Sequence, residues 1–399
     1  MKKRLILIIA LILVISAITN GNEEYSGSNK GKIVFVSRRD GNGEIYVIND
    51  DGTELTRITN SKAYDFKPIW SPDGTRILYR SRTRGGRNSW NPKFDVYVCN
   101  ADGTGHVRLG EAYLYDPVWS PDGEKVLFIS KKDGNEEIYV ANADGSGIFR
   151  LTNNKEDDDS PSWSPDGSKI LFRSKGLLYL MDPDGGNIEQ LVHEGSFEHP
   201  KWSPDGKYIA FLMTGGSCHN ALCIMDYEIK RIELLGDCGP NMALINHEIS
   251  WSPDGSKIAV SWQNKTDADA KDYDFSVAAF DVENRERIFA KPFVAEDSYH
   301  YLEWSSDNRS LLFRTQLYIA IINTRSNSSS KCDYLRPPGI FRDYSDPHWS
   351  PDGTEIIYVG NNSQFTFNWS DLQIISPDGK VLRTLTDTGK DYEPDWFGY

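Results

Sequence analysis

The chain lacks an excess of basic residues. Of its 399 residues, 44 are Lys or Arg and 58 are Asp or Glu, which gives a formal net charge of −14. Most of the surface would therefore repel a nucleic-acid backbone, and no extended stripe of Lys and Arg offsets that repulsion. The composition thus argues against nucleic-acid binding.

Cysteine is scarce as well. The five Cys residues cannot all pair internally, and Cys218, Cys223 and Cys238 fall within one repeat. Their spacing around His219 fits no standard metal-ligand pattern, so a local disulfide is favoured, with Cys218–Cys238 as the preferred pair. No Cys precedes Cys99, which argues against a lipid-modified cysteine near the N-terminus.

Long hydrophobic runs are missing except near the N-terminus. Residues 2–4 are basic, and residues 5–18 are all apolar or small. This is the layout of a secretory signal, and it is short for a membrane span. Residues 1–20 are predicted to be a signal peptide, or alternatively an uncleaved anchor that would be the only membrane contact. Residues 21–31 are predicted to be a flexible tether. The expected location is extracytoplasmic: secreted, periplasmic or on the cell surface.

What the chain has in abundance is the pentapeptide Trp-Ser-Pro-Asp-Gly. Intact copies begin at Trp70, Trp119, Trp163, Trp202, Trp251 and Trp349, a degenerate copy begins at Trp304, and a last Trp stands at position 396. A period of about 40 to 50 residues built on strand and turn signals predicts a β-propeller. Pro presets φ in the turn, Asp suits the next position, and Gly accepts the positive φ that closes it. The Trp rings are expected to fill the wedges between adjacent sheets.

The two ends of the chain predict how the ring closes. Residues 32–58 supply three strands of a blade without its innermost strand, and residues 392–396 supply an innermost strand with nothing after it. Pairing them completes one blade and hides two open sheet edges. With seven internal blades, this predicts an all-β, eight-bladed β-propeller over residues 32–399, closed by pairing of its N- and C-terminal strands.

The repeat resembles the propeller repeats of TolB proteins. The resemblance rests on Trp-Ser-Pro-Asp-Gly followed by strand segments such as residues 169–172, 138–140 and 151–152, and it covers residues 32–396. It implies the fold but no activity, because the matching residues build turns and wedges. TolB proteins also carry an N-terminal α/β domain, which is not expected here because only about thirty residues precede the first strand.

Two enzyme families have similar propellers. Prolyl-oligopeptidase-type enzymes join theirs to an α/β-hydrolase domain, but this chain contains no Gly-x-Ser-x-Gly motif. Oligogalacturonate lyases are similar in being propellers with a metal site in the channel. That second resemblance keeps a metal-dependent enzyme open as an alternative.

Antiparallel blades sort their connections onto two ends of the ring. With strands A to D counted from the channel outward, the A–B and C–D turns form one end, which we call the turn face, and the B–C and D–A connections form the other, the loop face. The irregular segments assigned to the loop face are residues 82–95, 215–221, 236–246, 263–273, 294–299 and 360–370. Irregularity concentrated on one face predicts the binding face. The candidate anchors in these segments are Arg84, Arg87, Trp90 and Trp369, with packing onto their own blades as the alternative.

The start of each strand A opens at the same end, around the channel. Three residues before each repeat Trp stand Lys67, Asp116, Ser160, His199, Glu248, Tyr301, Asp346 and Glu393. These residues are interpreted as polar lining of a water-filled channel. The alternative is a mouth that binds a cation, a sugar or a cationic peptide, and its candidate residues are Asp116, Glu248, Tyr301, Asp346 and Glu393.

Three histidines near this rim, His199, His247 and His300, occur in three consecutive blades and could hold a divalent metal with nearby carboxylates. His199 is out of phase with the other two, so strand alternation is expected to point it elsewhere.

The predicted function is an exported, non-enzymatic binding or scaffold module without a cofactor. It would engage a protein or polysaccharide partner of the cell envelope through the loop face. The alternative is a metal-dependent lyase or hydrolase with its site at the channel mouth.

Overall fold

Eight antiparallel sheets follow one another along the chain and form the blades of a β-propeller. The computed structural model describes residues 31–84, 93–113, 116–214, 221–235, 242–243, 248–265, 273–294, 301–314, 319–324, 332–335, 347–360 and 370–397. Neighbouring sheets share apolar clusters, such as the one joining Leu127 and Ile138 to Ile170 and Phe172. The predicted all-β, eight-bladed fold is confirmed. Within the described ranges, no helix is long and apolar enough to cross a membrane.

Each blade contains four strands, except that blade 6 contains five. Blades 1 to 4 contain β1 (Lys32–Ser37), β2 (Glu44–Asn49), β3 (Thr56–Arg57) and β33 (Asp391–Phe397); β4 (Tyr64–Trp70), β5 (Arg76–Arg84), β6 (Lys93–Asn100) and β7 (Val107–Ala112); β8 (Val118–Trp119), β9 (Lys125–Ser130), β10 (Glu137–Asn142) and β11 (Phe149–Arg150); and β12 (Asp158–Trp163), β13 (Ile170–Ser174), β14 (Leu177–Met181) and β15 (Glu189–Gln190). Blades 5 to 8 contain β16 (Phe197–Trp202), β17 (Tyr208–Met213), β18 (Ala221–Asp226) and β19 (Arg231–Leu234); β20 (Met242–Ala243), β21 (Ile249–Trp251), β22 (Lys257–Lys265), β23 (Tyr273–Asp281) and β24 (Glu286–Val294); β25 (Tyr301–Trp304), β26 (Ser310–Arg314), β27 (Ile319–Asn323) and β28 (Cys332–Leu335); and β29 (His348–Trp349), β30 (Ile356–Gly360), β31 (Asp371–Ile375) and β32 (Val381–Thr384).

Blade 1 is assembled from both ends of the chain. Its strand order is β3-β2-β1-β33, and β33 pairs antiparallel with β1, with Ile33 opposite Trp396 and Ser37 opposite Asp391. Strand β1 therefore has hydrogen-bonded neighbours on both sides, and residues 33–36 are fully buried. The predicted closure of the ring is confirmed.

The Ser-Pro-Asp-Gly turns share one hydrogen-bond pattern, of which blade 3 is an example. Ser120 N donates to Lys125 O at 2.8 Å, and Ser120 Oγ accepts Lys125 N at 2.9 Å and donates to Asp122 Oδ1 at 2.5 Å. Gly123 closes the turn with φ +69°. In the degenerate copy Asn308 takes this place with φ +60°, a conformation that Asn tolerates better than most residues. Turn chemistry therefore explains why Ser, Asp and Gly recur.

The repeat Trp residues connect neighbouring blades. Seven of the eight are buried, and Trp251 is half-buried, so their main role is packing in the wedges. Several also donate from Nε1 to a carbonyl of the preceding blade, as Trp304 does to Ser250 O at 3.1 Å. The same bond joins Trp119 to Ile69, Trp251 to Lys201 and Trp349 to Glu303.

Strand A carries a β-bulge in several blades, just before the repeat Trp. Lys67, Ser160, His199 and Glu393 have φ between +52° and +53°, and each precedes a Pro. The register of blade 5 shifts between Glu198 and Lys201 on either side of His199. A bulge re-aims the side chains around it. Simple strand alternation, on which the expected direction of His199 rested, therefore does not apply there.

Two segments expected to be loops are partly strand. Strand β5 continues to Arg84 and pairs it with Lys93, the first residue of β6. Strand β22 likewise continues to Lys265, opposite Tyr273. Long strands satisfy their backbone hydrogen bonds as they extend beyond the ring. Arg84 is thus a strand residue, and its predicted placement in a loop was wrong.

Candidate functional site

The channel mouth is lined by charged side chains that contact the next blade. Glu393 Oε2 accepts Lys67 N at 2.7 Å, and Lys67 Nζ lies 3.2 Å from Asp116 Oδ2. Asp116 Oδ1 in turn accepts Arg80 Nη1 at 2.7 Å. This chain of contacts runs through blades 1, 2 and 3, which gives Glu393 and Asp116 a structural role beside any binding role.

The same arrangement recurs in blades 6, 7 and 8. Glu248 Oε2 accepts Leu302 N at 3.1 Å, and Tyr301 OH is hydrogen-bonded to His348 Nδ1 at 2.8 Å. The structure therefore places Glu248 and Tyr301 at the seams between blades, where strand A begins. The use of Asp116, Glu248, Tyr301 and Glu393 as a binding mouth stays a prediction.

Three channel carboxyl groups have raised pKa values. Glu303 and Asp395 stand directly before repeat Trp residues and accept the backbone N–H of Trp349 at 3.0 Å and of Trp70 at 2.9 Å, respectively. Burial by the surrounding blades raises the pKa of Glu303, of Asp395 and of Glu393 despite these bonds. A positive group entering the channel would favour their ionised forms.

Of the three histidines in the predicted metal site, the structure describes His199 alone. The His199 side chain is exposed to water, but the surrounding blades partly desolvate its imidazole. This desolvation lowers the pKa of the imidazole. His247 and His300 lie outside the described residues. Among the residues that the structure does describe, no group of three or more His, Cys, Asp or Glu side chains is placed to hold a metal ion. The metal site stays a prediction.

Most of the loop anchors expected from the sequence lie outside the described residues. These are Arg87, Trp90 and Trp369, and the channel residue Asp346 is outside as well. For Arg84 the structure describes the backbone pairing in β5. Cys218 and Cys238, the preferred disulfide pair, are also outside the described ranges. The roles of all these residues remain predictions.

The cysteine nearest that pair in sequence is a core residue. Cys223 is a buried free cysteine in the seam between blades 4 and 5, and burial raises the pKa of its thiol to about 11. A neutral, buried thiol is a poor metal ligand and a poor nucleophile.

The sequence reasoning missed a group of arginine and aromatic side chains on the loop face, at the seam between blades 1 and 2. We call it the arginine–aromatic cluster; its members are Arg38, Tyr64, Phe66, Arg80, Arg82, Phe94 and Tyr392. They come from the loop-face ends of β4, β5, β6 and β33 and from the residue following β1. One signal was available in the sequence: Arg80 occupies the place that apolar Ile129 holds in the blade 3 repeat.

The guanidinium groups of this cluster lie against aromatic rings. The Arg38 guanidinium is 5.2 Å from the ring centre of Tyr64 and 5.0 Å from that of Tyr392. The Arg82 guanidinium is 5.7 Å from the Tyr64 ring, and the Arg80 guanidinium is 4.3 Å from the Phe94 ring. Aromatic faces attract cations, so the rings help to hold the three positive charges in place.

Tyrosine hydroxyls complete the cluster. Arg38 Nη2 donates to Tyr64 OH at 2.7 Å, Arg38 Nε donates to Tyr392 OH at 3.0 Å, and the two hydroxyls are 2.6 Å apart. The Tyr64 ring packs on the backbone of Gly43, where a Cβ would lie 2.7 Å from the ring. Glycine at position 43 is therefore what lets Tyr64 reach Arg38.

The turn face also carries a cavity, between the Ser-Pro-Asp-Gly turns of blades 4 and 5. Its volume is about 350 Å³, and its lining includes Trp202, Tyr227, Asp166 and Lys169. The rings of Trp202 and Tyr227 pack edge to face, 4.9 Å apart. Asp166 is engaged by its own turn, and Lys169 Nζ is 2.5 Å from Asp182. The polar lining is thus already committed to local contacts.

Comparison with known proteins supports the assignment of the repeats. The family described as TolB beta propeller domain matches residues 96–266. A Protein TolB homolog of Chlorobaculum tepidum is 33% identical over 122 residues, which are 30% of this chain and 26% of that protein. The Tol-Pal system protein TolB of Desulfosudis oleivorans is 32% identical over 127 residues, or 32% of this chain and 27% of that protein. Residues 96–266 are TolB-like β-propeller repeats, and the same four-strand blades recur on either side of them.

The matched part spans only about a quarter of the length of these curated relatives. Among solved structures, the dihydro-heme d1 dehydrogenase NirN in complex with DHE superposes on the TolB-like propeller with a TM-score of 0.65 and 14% identity. That alignment covers 95% of this chain and 78% of NirN. At such low identity the likeness shows the fold alone.

Proposed function

We propose that this TolB-like propeller is an exported, non-enzymatic binding or scaffold module that engages a protein of the cell envelope through its loop face. The observation that carries the proposal is the contrast between the two faces. The turn face repeats one self-satisfied turn, whereas the loop face carries the extended strands β5 and β22 and the arginine–aromatic cluster. Arg and aromatic side chains are common anchors of protein interfaces, and Arg38, Tyr64 and Arg82 are only half-buried.

The relatives support a protein partner and an extracytoplasmic location. One of them is named a Tol-Pal system protein, and the basic and apolar start of this chain has the layout of an export signal. Nothing comparable supports a polysaccharide partner. Cell fractionation with mass spectrometry of the intact protein tests export: a protein found in the cytoplasm with residues 1–20 retained would contradict it.

The binding face is tested by capture of partners from the envelope fraction, with identification by mass spectrometry. Arg84→Ala, Trp90→Ala and Trp369→Ala alter the loop face, and Lys207→Ala is the matched change on the turn face, where its side chain is 73% exposed. Truncating an anchor side chain typically weakens an interface by about tenfold or more. We expect that loss of captured partner for the loop-face variants and no loss for Lys207→Ala. Equal capture by all variants with unchanged melting temperatures would contradict the proposal.

A further inference from the structure

We infer that the arginine–aromatic cluster binds the carboxylates of an acidic polypeptide segment. The inference rests on the proposed function, since it names the chemistry of the partner that the loop face would recognise. Its basis is the placement of Arg38 and Arg82 around one tyrosine ring, on the loop face of a protein with a net charge of −14.

Two of the three positive charges of this cluster, those of Arg38 and Arg82, have no carboxylate partner in the described part of the chain. Among the described residues, no carboxylate lies within ion-pair distance of Arg38 or Arg82, although the chain has 58 acidic residues. The third arginine of the cluster differs, since Arg80 Nη1 lies 2.7 Å from Asp116, and so does the neighbouring Arg39, whose Nη2 lies 3.2 Å from Asp391. An external carboxylate is the simplest group to complete the pair.

The donors needed for such a ligand are present. A guanidinium group carries five N–H donors. Arg38 directs Nε and Nη2 to tyrosine hydroxyls, while the buried Nε of Arg82 finds no acceptor in the described part of the chain. Buried donors are nearly always satisfied in folded proteins, and a carboxylate bound beside the Arg82 guanidinium would supply this acceptor.

The local potential also favours an anion. Burial lowers the pKa of Arg80 although the carboxylates of Asp116 and Glu393 raise it, and the nearby positive charge of Arg82 adds to the lowering, as expected for two guanidinium groups that repel each other. An anion placed beside them would relieve that repulsion. Guanidinium groups pair with carboxylates through two parallel hydrogen bonds, and the half-buried ring of Tyr64, which lies against both Arg38 and Arg82, offers apolar contact to the residues flanking a carboxylate in a peptide. That combination suits an acidic polypeptide better than a free inorganic anion.

The test measures binding of a fluorescently labelled, Asp- and Glu-rich peptide and of its Asn and Gln counterpart to the full chain. The variants are Arg38→Gln and Arg82→Gln. The control is Arg76→Gln on the turn face, an arginine that pairs with Glu124 and also lies over a ring, that of Trp119. We expect the acidic peptide alone to bind and each cluster variant to weaken it about tenfold, because a charge-assisted hydrogen bond is lost. Arg76→Gln should leave affinity unchanged, and added salt should weaken binding.

Melting curves guard against a folding artefact. If a Gln variant is unstable, Arg82→Lys keeps the charge without the planar fork and should still bind the acidic peptide more weakly than the parent. Unchanged affinity in the cluster variants, or equal binding of the Asn and Gln peptide, would overturn the inference. Displacement of the acidic peptide by lower concentrations of inorganic phosphate or polygalacturonate would overturn it too.

The two proposals can fail separately. If Arg38→Gln and Arg82→Gln capture the envelope partner as well as the parent does, the acidic-segment inference fails and the loop-face function stands. If no loop-face variant affects capture, the proposed function fails, and selective binding of the acidic peptide still supports the cluster as an anion site.

Discussion

Ser252 holds the blade 6 turn together through hydrogen bonds of both its backbone and its hydroxyl group. Its N–H donates to Lys257 O, its carbonyl accepts Gly255 N, and its hydroxyl accepts Lys257 N at 2.9 Å while donating to Asp254 Oδ1 at 2.7 Å. The residue is fully buried. At the scale of the residue, the Ser, Asp and Gly of each turn provide hydrogen-bond partners or backbone geometry that pair the turn's N–H and carbonyl groups. This pairing explains why these residues recur along the chain.

Ser252→Ala should lower the free energy of unfolding by about 1–2 kcal/mol, because the amide of Lys257 loses its acceptor at a buried position. Urea denaturation measures the effect. The matched control is Ser256→Ala in the same turn: Ser256 is exposed and its hydroxyl bonds only to Asp254 among the described contacts, so we expect a change below about 0.5 kcal/mol. Equal effects of the two changes would contradict the role assigned to Ser252.

At the scale of the element, β33 matters more than its seven residues suggest. It pairs with β1 along nearly its whole length, and its Trp396 packs in the seam between blades 8 and 1. Tyr392 belongs to the next seam, between blades 1 and 2. One strand therefore closes the ring and contributes to two wedges.

Deleting residues 392–399 should lower the melting temperature by on the order of 10 °C or abolish the cooperative transition, since β1 would become an open edge and two seams would lose aromatic packing. Circular dichroism on heating measures it. Deleting residues 398–399 alone is the control, because it leaves β33 complete. A protein lacking residues 392–399 that melts like the parent would show that the ring does not depend on this closure.

The elements also show how far the sequence could be used. Alternation and turn signals correctly predicted the core of each blade, from β9 to β10 for example. They did not predict that β5 would extend to Arg84, because charged residues on a strand beyond the ring look like loop residues. They also missed the bulge at His199, since a register shift depends on the pairing with β17. The arginine–aromatic cluster was missed for a related reason: its members are far apart in the chain, from Arg38 to Tyr392.

At the scale of the whole molecule, the ring gathers acidic groups around one channel. Glu303, Glu393 and Asp395 come from two blades, and burial raises the pKa of each. For an acid with a raised folded pKa, the neutral form is favoured by folding. The stability that the protonated group contributes is therefore present at low pH and is lost as the pH rises through the pKa of the group in the folded protein.

Asp395→Asn should accordingly raise the melting temperature at neutral pH by about 1–3 °C, because it removes a buried charge and keeps an oxygen for Trp70 N. The gain should shrink as the pH falls and the parent Asp395 becomes protonated. Melting curves at several pH values measure it. Asp122→Asn is the contrasting variant: the hydrogen bond from Ser120 lowers the pKa of Asp122, so this change should cost stability at neutral pH and less on acidification. A destabilised Asp395→Asn at every pH would contradict the assignment.

The sequence by itself determined the class of fold, the number of blades and the closure between the chain ends. Those features follow from local signals, because a Pro-Asp-Gly turn, a buried apolar run and a Trp spacing each act within one blade or between adjacent blades. Only the tertiary structure decided what the loop face presents. Pairing of β33 with β1 brings Tyr392 beside Arg38 and Tyr64, and the extension of β5 places Arg82 against the same ring. Such a cluster depends on contacts across a closed ring, which no local pattern in the chain specifies.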